Sequence, residues 1–420
     1  MFPPLFEYLS MKVAVIGAGA SGLMAAYAAA ANGNDVTVFE KNEKSGKKIY
    51  ITGKGRCNLT NAVSPQEFLQ NVVSNPKFLS GSIYSFPPEQ TISFFESLGL
   101  RLKTERGNRV FPASNKASDV TKYLEKACKS VGVKFNFNNN VQSINILNST
   151  VSDIIVNNNA VSFDKVIVCT GGISYPLTGS TGDGYKFAEN CGHKIISLKP
   201  ALCGLNLKGK YFTEMQGLSL KNVALTVFYN GKAVKNLFGE MLFTHFGVSG
   251  PLILTVSSII NRFDLNNVQL SLDLKPALTT ELLDERLLRD FNSAPNKSLS
   301  VIMKGLLPSS LISEILRRSG VNGDKKVNSV SKAERAALLT VIKNFDMLVS
   351  SLRSFDEAIV TSGGVDVKEV NPKTMESKLI KGLYFCGEVL DVDAFTGGFN
   401  LQIAFATGFA AGNSIKSEEI

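Results

Sequence analysis

A chain of 420 residues, 44% of them hydrophobic, is long enough to bury a sizeable core and to divide into two or three domains. Its 45 Lys and Arg against 36 Asp and Glu leave a formal charge of +9, which favours a phosphate-rich partner without identifying one; a basic surface partly neutralised by a bound pyrophosphate explains it as well. The six cysteines (Cys57, Cys128, Cys169, Cys191, Cys203 and Cys386) are dispersed with no C-x-x-C pair, which argues against a disulfide framework, a zinc site or a redox dithiol, and no run reaches the roughly 18 apolar residues of a membrane span.

Residues 1–10 carry neither a basic region nor a long apolar stretch and read as an optional extension ahead of Met11, so the expected location is the cytoplasm. Val13 to Ile16 predicts a buried parallel strand. Gly17, Gly19 and Gly22 follow at the spacing of a dinucleotide-binding turn: the first turns the chain, the second admits a pyrophosphate and the third lets helix approach strand. Leu23 to Ala31 predicts a helix whose first amides face the phosphates, ended by Gly33-Asn34. Val36 to Phe39 is the next strand, and Glu40 at its end suits a ribose diol while repelling a 2′-phosphate, which selects FAD or NAD over NADP.

Lys41 to Asn61, rich in Lys, Gly, Ser, Thr and Asn, reads as a long specialised loop rather than a helix. Helical patterning at Pro88 to Leu98 and Ser118 to Val131 flanks a strand-like piece at Arg109 to Pro112. Asn138 to Val161 alternates as a small antiparallel meander, and Val166 to Cys169 returns to a buried strand. Leu198 to Leu274 is strand-like, with turns at Asn230-Gly231 and Gly247 to Pro251. Helical spacing then recurs in Glu281 to Phe291, Leu306 to Ser319 and Ser331 to Phe345. Ile359 to Thr361 and Leu383 to Cys386 are short strands, and Leu401 to Ala411 closes the chain as a helix. The fold class expected is α/β: a discontinuous Rossmann-like FAD-binding domain (1–195 and 355–420) with a β-barrel-like insertion (196–275 and 346–354) and a small helical insertion (276–345).

Four stretches carry groups suited to a cofactor. Gly53 to Asn61 offers glycines, Arg56, the Cys57 thiol and two carboxamides, as a flavin-lining loop or as a basic surface loop. Thr170-Gly171-Gly172 and Thr178 to Gly184 suit a cofactor wall or a tight connection between domains. Cys386 to Asp391 leads into Thr396 to Gln402 and a helix start whose partial positive charge favours a reduced flavin, with Glu388 or Asp391 able to hold a ribityl chain. His245, in the turn Phe243 to Pro251, is a candidate proton donor, whereas His193 reads as structural. Cys57 is a candidate for catalysis, although no histidine lies near it in sequence, and a packing or flavin-contact role fits it as well.

The blocks GAGASG, TGKGRCNLTN, TGGISYPLTGSTGDG, THFGVSGP, TSGGVDVKEV and CGEVLDVDAFTGGFNLQIAFATG together resemble the BaiN-like (YhiN-type) family of NAD(P)/FAD-dependent oxidoreductases, from Val13 to Gly412. The resemblance implies FAD contacts at Gly17, Gly19, Ala20, Ser21, Gly22, Glu40, Lys41, Arg56, Cys57, Asn58, Thr170, Gly171, Gly387, Asp391, Gly398, Phe399, Asn400 and Leu401, and Val141 and Glu388 complete the expected cofactor set. Members of this family usually carry glycine where Ala394 stands. The activities it implies are hydride additions to an activated carbon–carbon double bond: uridine in ribosomal RNA, or a small enone such as an oxidised bile acid. With no second glycine fingerprint, NAD(P)H would bind only transiently, or another donor would serve. A non-catalytic or redox-sensing FAD protein and a hydroxylating monooxygenase are the competing readings. Arg317-Arg318 and Lys325-Lys326 would be part of an RNA footprint.

Overall fold

The computed structural model describes residues 8–416 and 418–419; most of the expected N-terminal extension lies outside them. The chain forms two compact units, one running to Ala201 and resuming at Phe355, the other Leu202–Ser354.

The first unit is built on five parallel strands in the order Leu383–Phe385, Lys165–Val168, Lys12–Ile16, Asp35–Glu40 and Lys134–Phe137. Val13, Ala14, Val15, Val166, Ile167 and Val168 are all fully buried, as strands covered on both faces require. Parallel pairing puts every carboxyl end on one edge, so Gly17, Glu40, Thr170 and Gly387 emerge side by side.

The helix Ala20–Ala31 packs along the closing helix Phe399–Ser414. Alanine on one side and glycine on the other bring the two backbones close. A methyl on Gly408 would stand 2.3 Å from the Ser21 carbonyl oxygen, and one on Gly412 2.2 Å from that of Ala25. The meander Val141–Leu147, Thr150–Val156 and Asn159–Ser162 forms a separate antiparallel sheet, and the strand Ile195–Ala201 pairs antiparallel with Val360–Val365.

The second unit is a closed six-stranded barrel, in the order Leu205–Leu207, Gly247–Ser249, Lys232–Thr244, Ser219–Tyr229, Val268–Asp273 and Phe345–Leu352. Leu225, Phe243, Leu270, Leu272 and Phe345 fill it. The helices Thr280–Ser293, Leu299–Met303, Ser309–Ser319 and Lys332–Lys343 bury Leu283, Leu287, Leu311, Ile315, Leu338 and Ile342 in the same hydrophobic cluster.

Two local readings are corrected. The stretch Lys41 to Asn61 contains the helix Lys47–Ile51 and a 3₁₀ turn at Thr52–Gly55, because Gly46 donates its N–H to the Ala18 carbonyl and the amphipathic turn can then bury Ile49. Within the strand-like stretch Leu198 to Leu274 lies a helix, Pro251–Ile260, whose apolar residues pack against the barrel; what reads as a turn at Gly250-Pro251 is its first turn, with Pro at N1. No helix among the described residues is long and apolar enough to cross a membrane.

Candidate functional site

Gly17 has φ +103° and donates its N–H to the Phe39 carbonyl at 2.8 Å, which fixes the turn after the first strand. A methyl on Gly22 would stand 1.9 Å from the Gly17 carbonyl oxygen, whereas one on Gly19 would have no heavy atom within 4 Å. The glycine turn is therefore closed on its protein side and open at Gly19. The following helix has no side-chain cap and no acidic residue in its first turn, leaving its N-terminal amides available to an anion.

Glu40 is 8% exposed and fully engaged on the protein side: Oε2 accepts from the Ala18 N–H at 2.8 Å, and Oε1 from the Asn42 N–H at 2.9 Å and its Nδ2 at 2.6 Å. Lys41 pairs with Asp183 at 2.7 Å. This joins the loop after the second strand to Thr178–Asp183.

The loop 56–61 is held from two sides. Arg56 pairs with Glu105, donates to Asn115 and stacks on Phe111 with its guanidinium carbon 4.2 Å from the ring centroid. The Thr60 hydroxyl donates to Gln402, and Asn61 donates to the Gly397 carbonyl at 3.0 Å. Asn400 closes the other side of this turn, accepting the Ala394 N–H at 3.0 Å and donating to the Ala394 carbonyl at 2.8 Å. Ala394 does not have positive φ, so alanine serves there without strain. The closing helix begins after Gly398, again with no side-chain cap or first-turn acid.

Two buried polar atoms near these turns have no hydrogen-bond partner among the described residues: Asn58 Oδ1 and Thr170 Oγ1. An unsatisfied buried acceptor or hydroxyl costs about 1–3 kcal/mol, a cost that a ligand atom reaching either group would relieve. Cys57 is fully buried with φ +56°, and burial pushes its thiol up to about 12. Alkylation of Cys57 in the folded protein at pH 8–9 is therefore expected to run roughly a thousandfold slower than that of an unhindered cysteine, recovering only toward pH 12; peptide mapping after iodoacetamide treatment checks this, and rapid labelling at pH 8 would refute it.

Sequence reading passed over one residue that ties the site together. Lys48 donates to both carboxylate oxygens of Glu388, at 2.9 and 2.7 Å, and Glu388 Oε1 also accepts the Thr361 N–H at 2.8 Å. The Thr361 hydroxyl in turn accepts from the Ile173 and Ser174 N–H groups. One ion pair thus links the helix Lys47–Ile51, the Gly171–Ser174 turn, the strand Val360–Val365 and the Gly387–Asp391 segment. Nothing in a lysine-rich sequence singles out Lys48; only the strand order brings Glu388 to it. Asp391 accepts from Asn75 Nδ2 at 3.0 Å, Gly387 donates to Thr407, and Val141 is buried against Val156 at the start of the meander.

The remaining candidates separate. His245 is exposed in the tight turn between two barrel strands, its ring edge-on to Phe246, and belongs to the second unit. His193 is buried between Glu369 and Ser377, and burial lowers its pKa. The basic pairs are mostly engaged internally: Arg317 and Arg318 both bind Glu314, and Lys325 binds Glu334. Cys169 and Cys386, 217 positions apart, directly follow the paired residues Val168 and Phe385 on neighbouring strands, so the dispersal of cysteines in sequence does not carry over to space. Both are free thiols.

Residues 11–414 match the HI0933-like protein Rossmann domain. A 3-dehydro-bile acid delta(4,6)-reductase of Clostridium scindens is 31% identical over 409 residues, covering 96% of this chain and 98% of that one. A ribosomal RNA dihydrouridine synthase of Haemophilus influenzae is likewise 31% identical over 410 residues, covering 96% and 98%. Among solved structures, a 3-ketosteroid-delta4-(5alpha)-dehydrogenase from Rhodococcus jostii RHA1 superposes with a TM-score of 0.53 at 15% identity over 98% of both chains, which speaks to the fold alone. With the parallel sheet, its glycine turn and these full-length relatives in place, the chain belongs to the HI0933-like family of FAD-dependent oxidoreductases.

Proposed function

We propose that this protein reduces an activated carbon–carbon double bond, and that its substrate is a uridine of ribosomal RNA, converted to dihydrouridine. The observation that carries the reading is the end-to-end relationship to proteins named for this kind of reduction, two of them, from Haemophilus influenzae and Escherichia coli, named ribosomal RNA dihydrouridine synthases. The charge distribution favours RNA: Leu202–Ser354 holds 19 Lys and Arg against 12 Asp and Glu, so +7 of the chain's +9 lies in that unit.

In this reading Gly17, Gly19, Ala20, Ser21 and Gly22 receive the pyrophosphate of FAD on open amides, and Glu40 with Lys41 orients the ribose. Asn58 and Thr170 offer their unpartnered oxygens to the cofactor, flanked by Arg56, Cys57, Val141 and Gly171. Gly387, Glu388, Asp391 and the turn Gly398, Phe399, Asn400 and Leu401 form the remaining wall. FAD, once reduced with NAD(P)H as the transient donor, would supply hydride to the β-carbon of the conjugated double bond. The protein's own part is to hold that ring, exclude water and pass a proton to the neighbouring carbon. Cys57, a protonated thiol, packs against the cofactor rather than attacking substrate.

The Lys48–Glu388 pair clamps these segments. Lys48→Met is expected to weaken FAD binding about tenfold, or about 1.4 kcal/mol, with Lys48→Arg restoring most of it. Titration of apoprotein with FAD reads this directly, and wild-type affinity in Lys48→Met would remove the clamp.

The test of the function is anaerobic reduction of the yellow protein by NADPH and by NADH, with large-subunit ribosomal RNA lacking modifications, followed by mass spectrometry of the RNA. A gain of two hydrogens on one uridine supports the reading. Flavin reduction with RNA unchanged transfers the proposal to a small enone, the substrate class in the name of the Clostridium scindens relative. No reduction by either nicotinamide overturns the donor assignment and favours another electron donor or a non-catalytic FAD protein.

A further inference from the structure

The second unit's cations divide into two groups. In the helical module six of the eleven Lys and Arg are neutralised in place, Arg286 by Asp290, Arg317 and Arg318 by Glu314, Lys325 by Glu334, Arg335 by Asp284 and Lys343 by Asp273, and the other five are spread along 289–332 rather than gathered at one turn. Three lysines at one end of the barrel are not. The hairpin Ser219–Tyr229/Lys232–Thr244 turns there, placing exposed Lys232 opposite Tyr229 and Lys235 opposite Val227. Tyr229 also pairs with Val268, and Asn230 donates its N–H to the Asn267 carbonyl, so the segment 262–267 lies against the same turn. Exposed Lys208 reaches this segment, with Nζ 3.3 Å from Asn266 Oδ1. Among the described residues, neither Lys208, Lys232 nor Lys235 has a carboxylate partner. The one acid of the segment, Asp264, already accepts from the Asn266 N–H and Asn267 Nδ2. Glu240 stands toward the far end of its strand.

Beneath the cations, Tyr229 and Phe263 are stacked with centroids 4.4 Å apart and planes 23° apart, both half-buried. Unpaired cations around a partly exposed aromatic pair, edged by the exposed carboxamides of Asn230 and Asn266, match what a polyphosphate strand with stackable bases requires. We propose that this barrel end binds the backbone of RNA, with Lys208, Lys232 and Lys235 on phosphates and the Tyr229–Phe263 pair beneath a base. The inference rests on the RNA reading of the function and adds the surface that holds the strand. It moves the footprint from the arginine and lysine pairs of the helical module to the barrel end.

The experiment measures anisotropy of a labelled, unstructured RNA oligonucleotide with the FAD-loaded full chain across a series of KCl concentrations. Two triple variants remove equal charge: Lys208→Gln/Lys232→Gln/Lys235→Gln at the barrel end, and Lys297→Gln/Lys304→Gln/Lys326→Gln on the helical module. FAD content and melting temperature verify that both fold. The barrel-end variant is expected to bind at least about tenfold more weakly and to lose about two units of the slope of log affinity against log salt, at roughly 0.7 per phosphate contact. The helical-module variant is expected to stay close to wild type. Equal weakening by both variants overturns the assignment, as does competition by poly-glutamate as strong as by RNA, which would make the face a docking site for acidic protein. Wild-type affinity in the barrel-end variant, with ribosomal uridine still reduced by the parent protein, overturns this surface and leaves the function standing. A parent protein that neither binds RNA nor reduces it overturns both.

Discussion

Gly22→Ala is expected to yield a protein that does not retain FAD and melts well below wild type. The added methyl would sit 1.9 Å from the Gly17 carbonyl oxygen and 3.2 Å from the Cys169 side chain. Gly17 has nowhere to withdraw: its N–H is committed to Phe39, its φ is +103°, and 2.6 Å separates the Cys169 carbonyl from the position of its own missing methyl. The first helix must therefore move off the sheet, an overpacking strain of about 1–3 kcal/mol or more that also dismantles the amide cradle. Gly19→Ala is the informative counterpart. Its methyl meets nothing and its φ of −80° suits alanine, so the fold is expected to be unaffected while FAD affinity falls, because the methyl occupies the open space where the proposed function puts the pyrophosphate. Absorbance of the purified variants and thermal melts without FAD separate the two effects; a yellow, fully stable Gly22→Ala would refute this account of the turn.

Gly412→Val is expected to destabilise the first unit by on the order of 3–5 kcal/mol although it lies four turns along the closing helix from the cofactor edge. Its side chain would project into the Ala25 carbonyl at 2.2 Å, the Ala28 methyl at 2.8 Å and the Ala29 nitrogen at 2.8 Å. Helix backbones packed this closely cannot separate locally, because each is fixed along its length by other buried contacts, including Gly408 on Ser21. Gly305→Ala makes a control: the nearest atom to the new methyl is the Ile302 carbonyl oxygen at 3.5 Å, and φ is not positive. Calorimetry of both variants tests the contrast, and a wild-type melting profile for Gly412→Val would show that the helix pair tolerates a wider separation.

The cofactor unit is legible along the chain because its chemistry is local. Strand, glycines, alanine-rich helix, second strand and Glu40 all fall within residues 13–40, and each follows from a backbone requirement that a short window expresses. The meander and the closing helix are read from periodicity in the same way. The helix Pro251–Ile260 escapes such reading because its polar residues do not mark a solvent face: Ser257 and Ser258 are buried with Leu252, Ile253, Val256 and Ile260. The helix Lys47–Ile51 escapes it because a five-residue helix exists through the tertiary bond from Gly46 to Ala18.

By itself, then, the sequence determined the α/β class and the dinucleotide turn, since these depend on residues a few positions apart. Tertiary structure alone decided which distant groups meet. The strand order that lays 383–385 beside 165–168 and 12–16 brings Lys48 to Glu388, Thr60 to Gln402 and Cys169 to Cys386. It was likewise the packing of the second unit that consumed Arg335 and Lys343 in ion pairs with Asp284 and Asp273 and left Lys208, Lys232 and Lys235 facing solvent. A side chain's charge is written in the chain, but whether that charge is neutralised or presented depends on which carboxylate the fold brings within about 4 Å.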